Sequence, residues 1–349
     1  MDERALLALR TGVTMTRSDH FRAFRFSGGE AAWETVNALC SGDLFLRDGQ
    51  VAHTLWLDER AHPLADVYVA RDDDTFVILA ESRGEDLFTH ARSQLRDGAV
   101  LDDLTPTHRI LSLNGPFAWE LLGRIVGAEV IGLPYLNLFH LAGGWAFRAG
   151  KTGEFGYDLL VANDAAAKLE TRLLTDGERF DLVTAELDVL DQCALENWFF
   201  NVRKEGRLDV TPFELQLQWR TTTKRAFIGS AALEAHRIAG IRRRLVMMTA
   251  ADTGVIAQGN AVHLFGENVG VVANAGYSPL RRQWVALALV DVGWAHPGID
   301  AFEVMTPNGR VAARTVTPPL PNNLSLHVNL QRHAYATRDE IVLPPESAR

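Results

Sequence analysis

From about residue 242 to 317 the chain is a succession of short β-branched runs separated by turns. RRLVMM, NAVHLF, VGVVAN, WVALALV and FEVM follow one another at roughly even spacing, and Asn308-Gly309 marks a hairpin turn. Such a pattern commits residues 242–317 to a β-rich C-terminal domain. Upstream, helix and strand signals mix without a βαβα rhythm. Helices are predicted at 29–40, 84–96, 117–126, 163–175, 185–200 and 229–239, where apolar residues recur on one face. Runs 66–70 and 75–80 flank Asp72-Asp73-Asp74 and predict a hairpin, and 108–113 predicts a further strand. Beyond Pro318-Pro319 the composition loosens into what reads as an extended tail, 318–349.

The 349 residues carry 35 basic and 44 acidic side chains, a net charge of −9. That balance repels phosphate backbones, and Arg242-Arg243-Arg244 is too short for a nucleic-acid footprint, so no nucleic-acid partner is expected. No uncharged apolar run is long enough to span a bilayer, and the N-terminus MDERALLALR lacks a secretory pattern. A cytoplasmic protein with no membrane partner is expected. Cys40 and Cys193 alone cannot build a disulfide framework.

Most motif readings fail. Gly144-WAFRA-Gly150-Lys151-Thr152 is one residue too long for a phosphate loop, and strand-like EFGYDLLV follows it instead of a helix. The histidines show no ligand spacing, so no metal is expected. His53 and His62, near acids, read as structural or surface residues. Cys193 lies on an apolar helix face, where thiols are inert. One stretch stands out: Gly150-Lys151-Thr152-Gly153-Glu154-Phe155-Gly156-Tyr157-Asp158, three glycines and an acid in a turn entering a strand. An ionised acid there can accept two parallel hydrogen bonds from a flat heterocycle. Read locally, a plain hairpin turn with a solvated glutamate is the simpler account.

An ordered series of segments changes that reading. It runs from LLALRTGV at 6–13 through RDGQVAHTLWLDERAHPLADVYVA at 47–70 and Leu113-Asn114-Gly115-Pro116 to Thr152-Gly153-Glu154-Phe155-Gly156-Tyr157-Asp158. Leu195-Glu196 through Thr211-Pro212, Phe227-Ile228-Gly229, and Gly276-Tyr277-Ser278-Pro279 with Val285-Ala286-Leu287-Ala288 complete it. In this order and over about residues 5–317, the chain resembles the folate-dependent aminomethyltransferases, the T-protein of the glycine cleavage system and related tetrahydrofolate-dependent demethylases. The resemblance implies an α+β fold, a three-domain cloverleaf around a central channel. It divides the chain into 1–48 with 105–185, 49–104 with 186–241, the β domain 242–317, and the tail. It implies that Asp66 is catalytic, its carboxylate stabilising positive charge on the transferred carbon. Glu154 is implied to bind the pterin of tetrahydrofolate, with Thr152 and Tyr157 of the same motif and Trp219 contributing to the cofactor site.

Departures from the family pattern shape the functional expectation. Lys151 replaces the motif tyrosine, Glu81 an asparagine, and Leu190 and Ala194 two arginines, the natural clamps for a folate carboxylate. The expected function is one-carbon transfer (methyl, methylene or aminomethyl) between a small-molecule substrate and tetrahydrofolate, with no carrier protein as partner. Three alternatives stand beside it: an enzyme of this fold working without folate, an aminomethyltransferase of glycine cleavage, and a non-catalytic folate-binding protein. Fold analogy does not choose among them.

Overall fold

The computed structural model describes residues 1–343. Two open sheets and one closed barrel organise the chain. The first sheet orders its strands Val183–Thr184, Thr14–Arg17, His108–Asn114, Gly156–Ala162, Gly144–Phe147, Leu138–Leu141. The second runs Val51–Leu57, Pro63–Asp72, Thr75–Ser82, Phe21–Ser27, Val100–Asp103, all antiparallel. Its central hairpin turns at Asp73, whose φ of +50° is a left-handed conformation that Asp tolerates. The barrel closes Arg243–Ala251, Gln283–Asp291, Glu267–Ser278, Ala261–Leu264, Phe302–Thr306 and Gly309–Val316.

Strand alternation decides which residues meet. In the second sheet Ala65, Val67 and Val69 pack under helix Glu30–Leu39 with Phe24, Phe26 and Trp56. Their alternates Tyr68, Ala70, Val77 and Leu79 face the first sheet, where Ile110, Phe147 and Leu160 meet them. The other face of the first sheet, with Leu111, Leu113, Tyr157, Leu159 and Val161, is covered by helices Ala118–Val126 and Asn163–Gly177. By the same period of two, Asp66, Glu81, Ser112 and Asp158 all fall on the faces that oppose each other between the sheets. They lie where the strands leave the apolar layer, and their convergence follows from register.

The predicted helices and the hairpin form close to the expected positions; helix Leu87–Ser93 starts where the Asp86 side chain accepts from the amides of Phe88 and Thr89. Two expectations change. Residues 21–39, placed with 105–185 by the expected division, pair and pack in the second sheet. The tail, whose residues 344–349 lie outside the described residues, is docked through its described part along the first sheet's core: Leu324, Val328, Leu330, Tyr335 and Ile341 pack against that cluster. Tyr335 meets Phe117 edge-on at 5.4 Å, and its hydroxyl donates to Asp181 at 2.6 Å. Scattered apolar residues without periodicity look like a loose tail in sequence, yet they suffice to bury an irregular segment. Among the described residues, no helix is long and apolar enough to cross a membrane.

Candidate active site

Asp66 ends the inter-sheet face of strand Pro63–Asp72 and is buried. Its Oδ1 accepts from Arg220 Nη1 at 2.7 Å and pairs with His53 Nε2 at 2.7 Å, while Oδ2 accepts from Lys151 Nζ at 3.2 Å. Burial opposes ionisation, but His53, Arg220 and Lys151 outweigh it and hold the carboxyl well below the usual range. Burial and the neighbouring Arg220 lower His53 to about 4, so its imidazole is neutral at pH 7. Facing an ionised Asp66, Nε2 carries the hydrogen and Nδ1 is the free lone pair. Tyr68 stacks on the ring at 4.2 Å. His53, read from the sequence as structural, is the functional candidate that reading missed. Its signal lay in the antiparallel hairpin that sets its strand beside that of Asp66.

Two cavities flank this group, with Gly150 in both walls. The outer one, about 570 Å³, is lined by His53, Arg220, Arg148 and the rings of Phe155, Trp198 and Trp219 among others. The inner one, about 40 Å³, has room for a few waters and is lined by Glu81, Lys151, Arg203, Asp158 and Ser112 among others. Lys151 pairs with Glu81 and donates to Phe200 O at 3.1 Å; Arg203 Nε meets Glu81 at 2.5 Å, and its Nη1 meets Asp191 at 3.1 Å. Burial opposes the charge on Lys151, and Glu81 with Asp66 more than restore it, raising its pKa. Arg203, from the loop after helix Leu187–Glu196, thus carries a guanidinium into the chamber whose wall Leu190 and Ala194 leave without one.

The remaining expected site residues fare differently. Thr152 is buried at the inner wall; its Oγ1 receives the Glu154 amide at 3.3 Å, and its carbonyl accepts from Arg10 at 2.9 Å. Trp219, 67% exposed, stands at the outer cavity with the Arg220 guanidinium over its ring at 4.8 Å. Tyr157 lines neither cavity. Odd-numbered positions of strand Gly156–Ala162 face the first core, so Tyr157 is a core residue and its expected cofactor contact is corrected. Its neighbour Asp158 instead reaches the inner chamber, receives a hydrogen bond from Ser112, and is raised to about 6 by burial. Sequence reading passed over Asp158 because strand parity has meaning only once the buried face is known.

Glu154 lines the outer cavity, but its oxygens are engaged. Oε1 accepts the Leu324 amide at 3.1 Å, and Oε2 accepts the Ser325 amide at 2.8 Å and hydroxyl at 2.6 Å. These are the parallel hydrogen bonds the sequence suggested for a heterocycle, made instead to the chain's own tail. Asn323 Nδ2 donates to Asn197 Oδ1 at 2.7 Å, and Arg10 donates to Asn323 Oδ1 at 2.9 Å, pinning the same turn. Gly153 sits at their centre with φ +81°, and a Cβ there would lie 2.5 Å from Asn197 Oδ1 and from Asn323 Nδ2. Gly153→Ala is expected to lower unfolding free energy by roughly 1–3 kcal/mol through strain and lost tail contacts, read by chemical denaturation.

Asp158 gives a pH signature. Its folded pKa, about 6, exceeds the 3.8 of a freely solvated aspartate, so the folded state holds the proton longer. Its contribution to stability is therefore greatest below 3.8 and is lost as pH rises to about 6, by ~3 kcal/mol. Asp158→Asn removes this loss, and the variant is expected to be more stable than wild type at pH 7 but not at pH 4. Urea unfolding at the two pH values checks it; an equal difference at both would contradict it.

Comparison with known proteins agrees with this architecture. The family model described as "GCVT N-terminal domain" matches residues 2–225, and "Glycine cleavage T-protein C-terminal barrel domain" matches 243–320. The aminomethyltransferase of Geobacillus thermodenitrificans is 29% identical over 326 residues, covering 89% of this chain and 88% of the relative. That of a Picosynechococcus strain is 28% identical, covering 89% and 87%. The crystal structure of glycine cleavage system aminomethyltransferase T from Bartonella henselae superposes with TM-score 0.83 at 22% identity, covering 92% of this chain and 89% of the other, which bears out the cloverleaf α+β fold. One expectation is overturned. The homologous aminomethyltransferases act on an aminomethyl group held by a lipoyl carrier protein, which contradicts the expectation of no carrier protein. With a family model covering most of its length and the barrel model adjoining it, the chain belongs to the glycine cleavage T-protein family.

Proposed function

We propose that the chain transfers a one-carbon unit, in the first place aminomethyl, onto tetrahydrofolate. The observation carrying this reading is the buried His53–Asp66 pair at the wall of a cavity of about 570 Å³, in a chain whose relatives are aminomethyltransferases. A cavity that size suits a ligand of a few hundred daltons, and the rings of Phe155, Trp198 and Trp219 suit a flat one. When bound, tetrahydrofolate supplies the nitrogens that take up the transferred carbon.

The chain's own residues do the rest. Asp66 is the fixed negative charge against which positive charge on the migrating carbon is stabilised, and burial keeps solvent from screening it. Because Asp66 lines neither cavity, His53 is its contact with the reacting groups: as the bond from carbon to the nucleophilic nitrogen forms and the bond to the donor atom breaks, Nδ1 accepts the proton released at nitrogen and returns it to the departing donor, and Asp66 holds the tautomer. Methyl transfer and demethylation would use the same charge with a different donor. A cytoplasmic setting belongs to this reading. Titration calorimetry with tetrahydrofolate tests it: saturable micromolar binding is expected, and no binding up to millimolar concentration would sink it.

A second reading has its own observation. The Lys151–Glu81–Arg203–Asp191 chain of ion pairs fills the inner chamber to about 40 Å³, far short of a pterin. An enzyme that keeps the outer cavity and has abandoned folate fits that closure, and the same titration separates the two.

A further inference from the structure

Arg148 is 7% exposed and lines the outer cavity. Its Nη1 donates to Gly156 O at 3.0 Å, and its guanidinium lies over the rings of Phe155 and Tyr157, 4.6 and 4.9 Å from their centroids. Among the described residues no carboxylate pairs with it. The other buried cations differ: Arg10 meets Glu196 at 2.8 Å, Arg220 meets Asp66 at 2.7 Å, and Lys151 meets Glu81 and Asp66. Aromatic faces and one carbonyl offset only part of the cost of desolvating a guanidinium. Burial accordingly pulls its pKa down, with no acid among the causes that oppose it.

The surroundings share this deficit. Arg220 Nε is buried without a hydrogen-bond partner. The Tyr135 hydroxyl lies in the field of both guanidinium groups, and its one hydrogen bond is to Gly150 O at 3.5 Å. The two acids nearby are already engaged, Glu154 by the tail and Asp66 by its three donors. The rest of the wall is uncharged, with Phe155, Phe199, Leu217 and Trp219 beside the polar Asn197 and Gln216.

We propose that Arg148 is a carboxylate-binding subsite of the outer cavity, taking the carboxylate of a ligand whose flat body lies against Phe155 and Trp219. The subsite rests on the cavity's geometry and stands apart from the folate reading. Two sources carry the required chemistry: the benzoylglutamate end of tetrahydrofolate, and a separate aryl carboxylic acid.

Tryptophan fluorescence and calorimetry test this with 4-aminobenzoylglutamate, benzoate, the uncharged benzamide, tetrahydrofolate and tetrahydropterin. The two carboxylates are expected to bind wild type, more weakly as salt rises, and at least tenfold more tightly than benzamide. Arg148→Gln is expected to remove that preference. Tetrahydrofolate weakening in the variant while tetrahydropterin does not identifies the folate tail as source; benzoate weakening alone identifies a separate acid. If Arg148→Gln fails to fold, as circular dichroism would reveal, Arg148→Lys and the wild-type preference for benzoate over benzamide decide. Equal binding of benzoate and benzamide, no binding of any carboxylate, or variants that bind all probes like wild type would overturn the proposal. Failure of tetrahydrofolate alone, with 4-aminobenzoylglutamate still bound through Arg148, would sink the folate reading and leave the subsite standing.

Discussion

Asp66→Asn is expected to lower turnover by roughly a hundred- to a thousandfold, the loss that follows when a preorganised charge at a reacting centre is removed. The variant also loses stability. Arg220 and Lys151 remain buried with their shared anion gone, and stranding one side of a buried ion pair costs about 3–5 kcal/mol. The three donors on Asp66 tie the substitution to the fold as well as to the chemistry. The two effects are separable. Turnover is measured at a temperature where circular dichroism shows the variant folded, beside Lys151→Met, which strands no cation at Asp66. Rates for folded Asp66→Asn within tenfold of wild type would remove Asp66 from the chemistry. His53→Gln, which keeps a polar group beside Asp66 but no basic imidazole, is expected to share the turnover loss and to spare most of the stability.

Glu154→Ala should release the tail. Both oxygens leave together, so the amides of Leu324 and Ser325 lose their acceptors, at about 1–3 kcal/mol for each stranded group. The tail's apolar contacts through Val328, Leu330 and Tyr335 hold it further along, so the opening is local. Hydrogen exchange at residues 324 and 325 is expected to accelerate at least tenfold, with residues 111–113 of the sheet core unchanged. Tetrahydrofolate affinity is expected to fall less than tenfold, because that carboxylate binds the tail. Binding abolished while the 324–325 amides stay protected would show instead that Glu154 holds the pterin.

Much of the fold is legible in the sequence because local signals agree with it. The even strand spacing after Arg243, the Asp-rich turn between 72 and 74 and the apolar periodicity of the helices each dictate the element they form. The site is legible in part. Asp66 and the 150–158 turn emerge through resemblance, and the structure brings Asp66, Lys151 and Glu81 into one cluster. His53, Arg148, Asp158 and Arg203 escape because each is a common residue whose meaning depends on the face or cavity the fold gives it, and for Arg203 also on a partner far along the chain. Arg203 pairs across 122 positions with Glu81, and Arg220 across 154 with Asp66. The tail's seat on Glu154 is equally silent, since backbone amides 170 positions away carry no side-chain signature.

The central claim, one-carbon transfer through the His53–Asp66 pair, meets its most direct test in a label-transfer assay. Wild-type protein is mixed with tetrahydrofolate and a lipoyl carrier bearing an isotopically labelled aminomethyl group. Label is expected on tetrahydrofolate at least a hundredfold faster than without the protein, and near background with Asp66→Asn. Label remaining on the carrier, or moving as fast with folded Asp66→Asn as with wild type, would contradict it.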